Sequence, residues 1–261
     1  MADQVYLVRD IIRFMEEYAP PELAEKWDHV GLQIGDKNAP VHRVVVALDP
    51  NRKAMDFCLK EGADLLLTHH PLFLNGPSDL DYSTPKGALV RDFILNRINV
   101  YSAHTNLDKT LGGVNHVLAE ACGIQMPMSI EGVPLGLFGE LMRPIGLFEL
   151  AGQLKSALGA GGVMMNTDEN QKISRVFVSG GSFDEHIIPF LAGTYIDAVI
   201  SGEIKYHPMQ DLRAYGIAAL SLGHDVSERV ILKPLAQKLH DRFPGIGVAV
   251  DMGFDYNKVV F

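Results

Sequence analysis

Continuous apolar runs and segments with helical spacing of apolar residues follow one another along the chain. This pattern predicts an alternation of strands and helices. Residues 43–48 (RVVVAL) and 63–67 (ADLLL) form apolar-rich runs, which are typical of strands buried on both faces of a parallel sheet. Residues 52–61 lie between them with helical spacing, and Gly62 follows as a common helix terminator. This part of the chain therefore predicts a strand, a helix and a second strand.

The alternation continues and then returns in the second half of the chain. After a helix over residues 86–96, residues 100–103 form a third strand, which completes the βαβ pattern of a parallel sheet. In the second half, strands are predicted over residues 175–179, 196–200 and 217–222, and helices over residues 186–191 and 209–215. The recurrence is a weak internal repeat, and it predicts an α/β fold of two similar α/β domains.

The predicted domain boundaries follow from this repeat. Residues 1–125 together with 229–261 are expected to form the first α/β domain, and residues 126–228 the second. Residues 126–172 carry Gly and Pro at close intervals, which favours loops over regular structure. They are interpreted as the connection between the two units, with one helix over residues 147–158.

The two ends of the chain add further elements. Apolar residues recur at helical spacing from Val5 to Met15, and this helix is expected to end before Pro20. Acidic residues interrupt the stretch, so it is interpreted as an amphipathic helix and not as a secretory signal. Near the other end, residues 228–242 predict a helix and residues 247–251 a last strand.

Composition narrows the class of protein. Of the 261 residues, 47% are hydrophobic and the mean hydropathy is +0.08, which fits a globular chain and excludes a disordered one. No apolar run is long enough to span a bilayer, and the two isolated cysteines, Cys58 and Cys122, predict buried thiols in the reducing cytoplasm. The formal net charge of −9 disfavours general nucleic-acid or membrane-surface binding. A small anionic substrate stays compatible with it, because bound metal ions change the local field.

The candidate chemistry lies at the ends of predicted strands, where ligands bind in open parallel sheets. His69 and His70 directly follow one strand and precede Pro71. Neighbouring side chains on a strand point to opposite faces, but at a strand end that enters a loop both imidazoles can turn toward one place. Because imidazole is a common ligand of Zn, Fe, Mn and Ni, the pair is interpreted as two metal ligands. The alternative is one backbone-capping and one surface histidine.

Two more strand ends each carry a histidine with a carboxylate four residues later. His224 and Glu228 share one face if a helix begins near Ser227; alternatively, Glu228 is a solvated acid at a helix start. His104 and Asp108 repeat the spacing. Asp108 is a candidate oxygen ligand. For His104 there are three alternatives: it orients a ligand, it is a catalytic acid or base, or it is a core histidine.

A fourth cluster follows the strand over residues 196–200. It contains Glu203, Lys205 and His207. Such side chains transfer protons in many active sites, but they are equally common in solvated loops. Glu203 is the member that we single out as a catalytic candidate.

Together these candidates predict a dinuclear metal centre. Three nitrogens and two carboxylates are available, from His69, His70, Asp108, His224 and Glu228. This is one ligand more than a structural zinc site uses and too few to saturate two ions, so open positions for water or substrate are expected. Cysteine is absent from the set, which disfavours a purely structural zinc site. We expect the metal site to lie in the cleft between the two domains.

Several short motifs occur in the order found in one known family. They are Trp27-Asp28 with Gly31-Leu32 and Gly35, residues 67–71 (LTHHP), residues 102–108 (SAHTNLD), residues 201–203 (SGE), and Gly223-His224 with Ser227-Glu228. On these motifs the chain resembles the NGG-interacting-factor-three-like family, also called dinuclear metal-centre hexameric proteins and GTP cyclohydrolase I type 2 homologues. The resemblance implies that the same five residues hold two divalent ions per subunit. It also implies a compact two-domain subunit and a toroidal homohexamer.

Three functions are compatible with these expectations. The leading hypothesis is a metal-dependent hydrolase of a small, nucleotide-like substrate, with His104 or Glu203 as the proton shuttle. The alternative is a non-enzymatic metal carrier or interaction scaffold, for which the sequence supplies no partner motif. GTP ring opening is a third function, and it rests on the name of the family alone.

Overall fold

The structure, a computed structural model, describes residues 5–253. The strands in this range are β1 (Tyr6–Leu7), β2 (Gly31–Ile34), β3 (Pro40–Val41), β4 (Arg43–Ala47), β5 (Leu65–Thr68), β6 (Asn99–Ser102), β7 (Ile124–Met128), β8 (Leu137–Gly146), β9 (Met164–Met165), β10 (Lys172–Ser182), β11 (Ala198–Glu203), β12 (Ala218–Ser221) and β13 (Gly247–Asp251). The α-helices are α1 (Val8–Tyr18), α2 (Arg52–Glu61), α3 (Pro85–Leu95), α4 (Thr105–Lys109), α5 (Val114–Ala121), α6 (Leu147–Leu158), α7 (Ile188–Ala192), α8 (Tyr206–Ala214), α9 (His224–Glu228) and α10 (Leu232–Arg242). Short 3₁₀ turns occupy Pro21–Leu23, Glu185–Ile187 and Arg229–Ile231.

Two compact units divide the described chain. The first comprises residues 5–110 and 232–253, and the second comprises residues 111–231. The division differs from the predicted boundaries, which place residues 111–125 in the first domain. These residues belong to the second unit because α5 packs against β7, β8 and β10. Residues 254–261, which the prediction also places in the first domain, lie outside the described residues.

The first unit is built on a five-stranded sheet in the order β13-β4-β5-β6-β2. The first four strands are parallel, and β2 runs antiparallel to β6 at the edge. Val45, Leu66 and Val100 are fully buried in one core together with side chains of α2 and α3. The predicted strands and helices of this βαβαβ pattern are present, with ends shifted by at most two residues.

Local signals explain where the helix between β4 and β5 begins and ends. Asn51 precedes α2, and its side-chain oxygen accepts a hydrogen bond from the Ala54 N–H at 3.0 Å, which satisfies one of the free donors of the first turn. Gly62 follows the last turn with φ +64°, the left-handed conformation that a glycine adopts without steric cost. The predicted helix over residues 52–61 therefore agrees with the structure at both ends.

The second unit is built on a six-stranded sheet in the order β7-β8-β10-β11-β12-β9. The three strands β10, β11 and β12 are parallel, while β7, β8 and β9 pair antiparallel. Both faces of the parallel part are buried: Val178 and Ile200 belong to one core, and Phe177 and Val199 to another. Burial on both faces is the reason that these strands have continuous apolar sequences.

Residues 126–172 are not a connection between the units, so that interpretation was wrong. They contain most of β7 and all of β8, α6 and β9, which belong to the sheet of the second unit and its covering layer. One glycine that suggested a loop has a packing reason. A Cβ on Gly139 would lie 2.5 Å from a methyl carbon of Ile124 on the neighbouring strand, so only glycine permits this strand contact.

Two further predictions needed correction. The first helix begins at Val8, not near Val5, because β1 precedes it. The predicted helix over residues 228–242 is divided by the turn at Arg229–Ile231, where one unit ends and the other resumes.

The two sheets share one arrangement, which confirms the α/β fold of two similar domains. In each unit three consecutive parallel strands are followed by an antiparallel edge strand, β4-β5-β6-β2 in the first and β10-β11-β12-β9 in the second. No helix among residues 5–253 has the length and apolar character needed to cross a membrane.

Candidate metal centre

His69 and His70 lie at the carboxyl end of β5, as the sequence predicts. Their backbone N–H groups donate to the carbonyl oxygens of Ala47 and Leu48 at 3.2 and 2.9 Å, so the pairing with β4 continues past the strand end. The His69 side chain is fully buried, and that of His70 is 22% exposed. The pair is therefore held by the sheet itself and not by a flexible loop.

Both imidazoles of this pair use Nδ1 for a hydrogen bond to a fixed acceptor. His69 Nδ1 lies 3.1 Å from the carbonyl oxygen of Ala103, and His70 Nδ1 lies 2.7 Å from Oδ1 of Asp49. A carbonyl or carboxylate oxygen only accepts, so each Nδ1 carries the hydrogen and each Nε2 keeps its lone pair. This is how metal-binding histidines are usually oriented in proteins.

His104 is oriented in the same way by Asp28. Its Nδ1 lies 2.9 Å from Oδ1 of Asp28, whose side chain is completely buried. The second oxygen of Asp28 accepts hydrogen bonds from the backbone N–H and the hydroxyl of Thr105 at 3.0 and 2.5 Å. Burial alone would raise the pKa of Asp28, but the hydrogen bonds from His104 and Thr105 outweigh this effect and hold the pKa well below its usual range.

The three imidazoles form one group in the first unit. The ring centroids of His69 and His70 are 5.0 Å apart, and those of His104 lie 5.0 and 5.5 Å from them. Each ring offers one nitrogen, and these nitrogens all lie within 4.8 Å of one another, close enough to hold a metal ion. His104 thus lies with the predicted ligands and is not an isolated core histidine.

Asp108 lies on α4, one turn after His104. The helix places it there because the Asp108 N–H donates to the His104 carbonyl at 3.0 Å. Its side chain is 12% exposed, and Oδ1 lies 3.6 Å from Nε2 of His69. This short helix was not predicted from the sequence. Its effect is to bring the predicted oxygen ligand beside the predicted nitrogen ligand.

In the second unit, His224 and Glu228 lie on the short helix α9 at the carboxyl end of β12. The predicted helix begins at His224, three residues earlier than expected, so both residues share one face. His224 Nε2 lies 3.3 Å from Oε1 of Glu228. The Glu228 side chain is only 5% exposed, which excludes the alternative of a solvated acid at a helix start.

Glycines shape the surroundings of Glu228. Gly181 has φ +64°, and a Cβ at this position would approach Oε1 of Glu228 to 2.2 Å. The Gly181 N–H donates to the Ser227 hydroxyl at 2.9 Å, and that hydroxyl donates to the His224 carbonyl at 2.8 Å. The missing side chain of Gly181 therefore makes the space in which the Glu228 carboxylate lies.

Of the fourth predicted cluster, only Glu203 lies beside a predicted ligand. Its carboxylate, 58% exposed, is 3.4 Å from Nδ1 of His224 at the end of β11. Lys205 and His207 are exposed at the start of α8. They fit the solvated alternative, whereas Glu203 remains a candidate for proton transfer.

The chemistry of these side chains fits a divalent metal ion. The first unit offers three imidazole nitrogens and the Asp108 carboxylate, and the second offers His224 and two carboxylates. Imidazole and carboxylate suit Zn, Fe, Mn and Ni. Cys58 and Cys122 are free thiols, each buried in a hydrophobic core of its own unit. Burial raises the pKa of each thiol to about 12, and Asp251 adds to the effect at Cys58.

Sequence reasoning missed the residues that orient the candidate ligands. Asp28 appeared only as part of a motif, with no role, and Asp49 was not singled out. A signal for Asp49 existed, since it follows β4 at the same edge of the sheet as His69 and His70. Gly181 followed a predicted strand, but nothing in the sequence connected it with Glu228.

Comparisons with known proteins match nearly the whole chain. A family model described as Duf34/NIF3 (NGG1p interacting factor 3) covers residues 6–255. A Clostridium perfringens protein named GTP cyclohydrolase 1 type 2 homolog is 32% identical over 241 residues, which is 90% of this chain and 92% of that protein. A Streptomyces coelicolor protein of the same name is 34% identical over 230 residues, 84% of this chain and 80% of its own length.

Solved structures have the same fold. The crystal structure of a hypothetical protein from Staphylococcus aureus matches with a TM-score of 0.89 and 25% identity, over 98% of this chain and 99% of that one. A Bacillus cereus protein related to NIF3 matches with a TM-score of 0.88 and 21% identity, over 99% and 100% of the two chains. The second likeness concerns the fold alone.

Proposed function

The chain belongs to the Duf34/NIF3 family, and from that premise we propose that it is a metal-dependent hydrolase of a small, nucleotide-like substrate. In this proposal two divalent ions are held by His69, His70, Asp108, His224 and Glu228, the first three from one unit and the last two from the other. The curated relatives carry the name GTP cyclohydrolase 1 type 2 homolog, which is compatible with a nucleotide substrate.

One observation carries the proposal. Three imidazoles in the first unit all have Nδ1 against an acceptor, at 2.7 to 3.1 Å, so all three leave the lone pair on Nε2. One ring nitrogen from each of the three imidazoles lies within 4.8 Å of those from the other two. Imidazole nitrogens held this close together are a common arrangement of ligands for a divalent cation. The arrangement supports a preformed metal site.

The bound ions supply Lewis-acid activation of water and of the group that is hydrolysed. The chain's own residues bind the ions and move protons. His104 can accept a proton or a substrate hydrogen bond at Nε2, because Asp28 keeps the other ring nitrogen protonated. Glu203 is exposed beside His224, so its carboxylate is a second candidate for exchanging a proton with solvent.

Metal identity, assembly and location remain predictions. The nitrogen and oxygen donors suit Zn, Fe, Mn and Ni alike. A homohexamer follows from the family resemblance, and a cytoplasmic location is supported by the two free, buried thiols.

A nucleotide panel tests the proposal. Protein loaded with Zn²⁺, Mn²⁺, Fe²⁺ or Ni²⁺ is incubated with each nucleotide, and products are separated by liquid chromatography. We expect turnover of at least one nucleotide, with a loss of at least a hundredfold in Asp108→Ala and in Glu228→Ala. Asp168→Ala is the matched control, because this carboxylate is 93% exposed and is expected to leave activity unchanged.

The products separate the competing functions. Release of phosphate or a nucleoside from a nucleotide supports the hydrolase. A ring-opened product from GTP would instead support the cyclohydrolase reaction. Full metal content with no turnover of any nucleotide, or equal activity in both alanine variants, would contradict the proposal and favour a metal-binding scaffold.

A further inference from the structure

The segment before β2 places two adjacent residues beside His104. Asp28 holds the His104 ring through Nδ1 at 2.9 Å. The Trp27 ring packs edge to face with the same imidazole, with centroids 5.9 Å apart and planes inclined at 73°. One dipeptide therefore contacts His104 with a carboxylate at one ring nitrogen and an aromatic ring at its side.

Asp28 fixes which nitrogen of His104 carries the hydrogen. Its carboxylate is fully buried and is anchored independently by the N–H and hydroxyl of Thr105. An anchored acceptor at Nδ1 keeps the hydrogen on that atom, so Nε2 presents a lone pair. His104 can thus accept a hydrogen bond at Nε2, and the rings of His69 and His70 lie nearby, 5.0 and 5.5 Å away between ring centroids.

Trp27 is the only tryptophan in the sequence, and 55% of it is exposed although its neighbour Asp28 is buried. A large aromatic ring left open next to a group of candidate ligands is suited to stack on another flat ring. Lys109 is ion-paired with Glu25 at 2.6 Å, so a phosphate group is expected to bind the metal ions, whereas Trp27 offers a ring face.

We propose that this corner of the hydrolase site binds a planar nitrogen heterocycle, which stacks on Trp27 and donates an N–H to Nε2 of His104. In this proposal Asp28 is a positioning residue, because it acts on the ring through His104. The proposal rests on the function proposed above and adds a substrate class to it: the substrate carries a neutral heteroaromatic ring with an amino or ring N–H group. A sugar phosphate without a base lacks both features.

Fluorescence of the single tryptophan tests the ring contact directly. The zinc-loaded full chain is titrated with guanosine, adenosine and ribose 5-phosphate, with excitation at the red edge of the indole band. We expect saturable quenching by the two nucleosides and none by the sugar phosphate. Equal quenching by ribose 5-phosphate, or no saturation with either nucleoside, would overturn the proposal.

Variants then assign the binding to Trp27. Nucleoside binding is measured by equilibrium dialysis, which needs no tryptophan. Trp27→Leu is expected to weaken it about 5- to 150-fold, the range for loss of one base-stacking contact, and Trp27→Phe is expected to weaken it less. Tyr82→Leu is the matched control, because Tyr82 is an aromatic residue of the same unit with 51% exposure. An effect of Tyr82→Leu equal to that of Trp27→Leu would contradict the assignment.

Nitrogen NMR of the imidazoles tests the role of Asp28. In the wild-type zinc form, we expect His104 to show the hydrogen on Nδ1. In Asp28→Asn, the amide N–H can donate to Nδ1, so the hydrogen is expected on Nε2, with weaker nucleoside binding and unchanged zinc content. A wild-type spectrum with the hydrogen on Nε2 would overturn the proposal even if the variant does not fold.

Failure of this inference is distinguishable from failure of the hydrolase proposal. Nucleoside binding is measured without turnover, so a chain that binds nucleosides through Trp27 but hydrolyses nothing supports the heterocycle site alone. Hydrolysis of nucleotides that is unchanged in Trp27→Leu would support the hydrolase and contradict the heterocycle site.

Discussion

The two units present their candidate ligands in different ways. In the first unit, Nδ1 of His69 faces the backbone carbonyl of Ala103, and Nδ1 of His70 faces the carboxylate of Asp49. Neither of these two groups is a candidate ligand. In the second unit, both ring nitrogens of His224 face carboxylates that are themselves candidates, Glu203 at 3.4 Å and Glu228 at 3.3 Å. The two histidines of the first unit are therefore oriented by groups outside the candidate ligand set. His224 is oriented by one member of that set, Glu228, and by the catalytic candidate Glu203.

The two histidines that differ most in burial come from different units, although Glu228 of the second unit is also buried. The side chain of His69 is fully buried, whereas that of His224 is 40% exposed. Rigid, buried ligands lose little freedom when they bind an ion, and exposed ones lose more. The comparison teaches that two sheets of similar topology can hold candidate ligands that are oriented in different ways. It predicts that the first unit contributes most of the metal affinity, while the second depends on the space around Glu228.

Removal of His69 should have the largest effect. His69→Ala removes a buried, preoriented nitrogen, so we expect zinc affinity to fall more than a hundredfold, beyond the roughly 10- to 100-fold typical of residues that only support a ligand. Competition with a chromophoric chelator measures this. His42→Ala is the control, because His42 is a histidine of the same unit with a 71% exposed side chain. A change below tenfold in His69→Ala would reverse the ranking of the two units.

Filling the space beside Glu228 should have the next largest effect. Gly181→Ala puts a methyl group 2.2 Å from the present position of Oε1, so the carboxylate must move, and zinc affinity is expected to fall about 10- to 100-fold, as for loss of a supporting contact. Gly159→Ala is the matched control, since Gly159 has φ +65° and no atom within 4 Å of such a methyl group. Both variants should lose about 1 kcal/mol of unfolding free energy, measured by urea denaturation. Equal zinc affinity in the two variants would show that Gly181 does not shape the site.

Loss of an orienting carboxylate should have a smaller effect. Asp49→Asn weakens the acceptor at His70 Nδ1, and since Asp49 is 38% exposed, solvent can replace part of the interaction. We expect zinc affinity to fall about tenfold, at the lower end of the range for such residues, with unfolding free energy nearly unchanged. The same chelator competition checks it. No change in affinity would mean that the His70 ring is oriented by the strand alone.

Removal of metal should have the smallest effect of all, because we expect the fold of both units to stay unchanged. Each unit contains one buried thiol, Cys58 in the first and Cys122 in the second, with a pKa raised to about 12. After chelation, we expect neither thiol to react with iodoacetamide at about pH 8, because the apolar cores hold without metal. Labelling in urea is the positive control. Labelling of Cys58 in the chelated protein would show that metal is needed to fold the first unit.

Sequence reasoning predicted the parts of the fold that burial determines. Strands such as β4 and β5 are buried on both faces, so their sequences are largely apolar runs that stand out from their surroundings. The edge strand β7 and its neighbour β8 escaped prediction because they carry exposed residues, such as Met126 and Met142 with 85% and 82% exposure. Glycines that pack strands closely there resembled those of a loop.

The candidate ligands were predictable because carboxyl ends of parallel strands meet at one edge of a sheet. The residues that orient them were not. Asp28 lies 76 positions before His104 in the sequence, and no local pattern links a carboxylate with an imidazole over that distance. The tautomer of each histidine depends on such contacts, so it required the three-dimensional structure.

The metal content of the purified chain tests the central claim most directly. Protein dialysed against excess Zn²⁺ and then against metal-free buffer is analysed by inductively coupled plasma mass spectrometry. The account predicts two ions per chain in the wild type and a loss of at least one in Asp108→Ala and in Glu228→Ala. One ion per chain in the wild type, or an unchanged zinc content in both variants, would contradict a dinuclear centre built from the candidate ligands of both units.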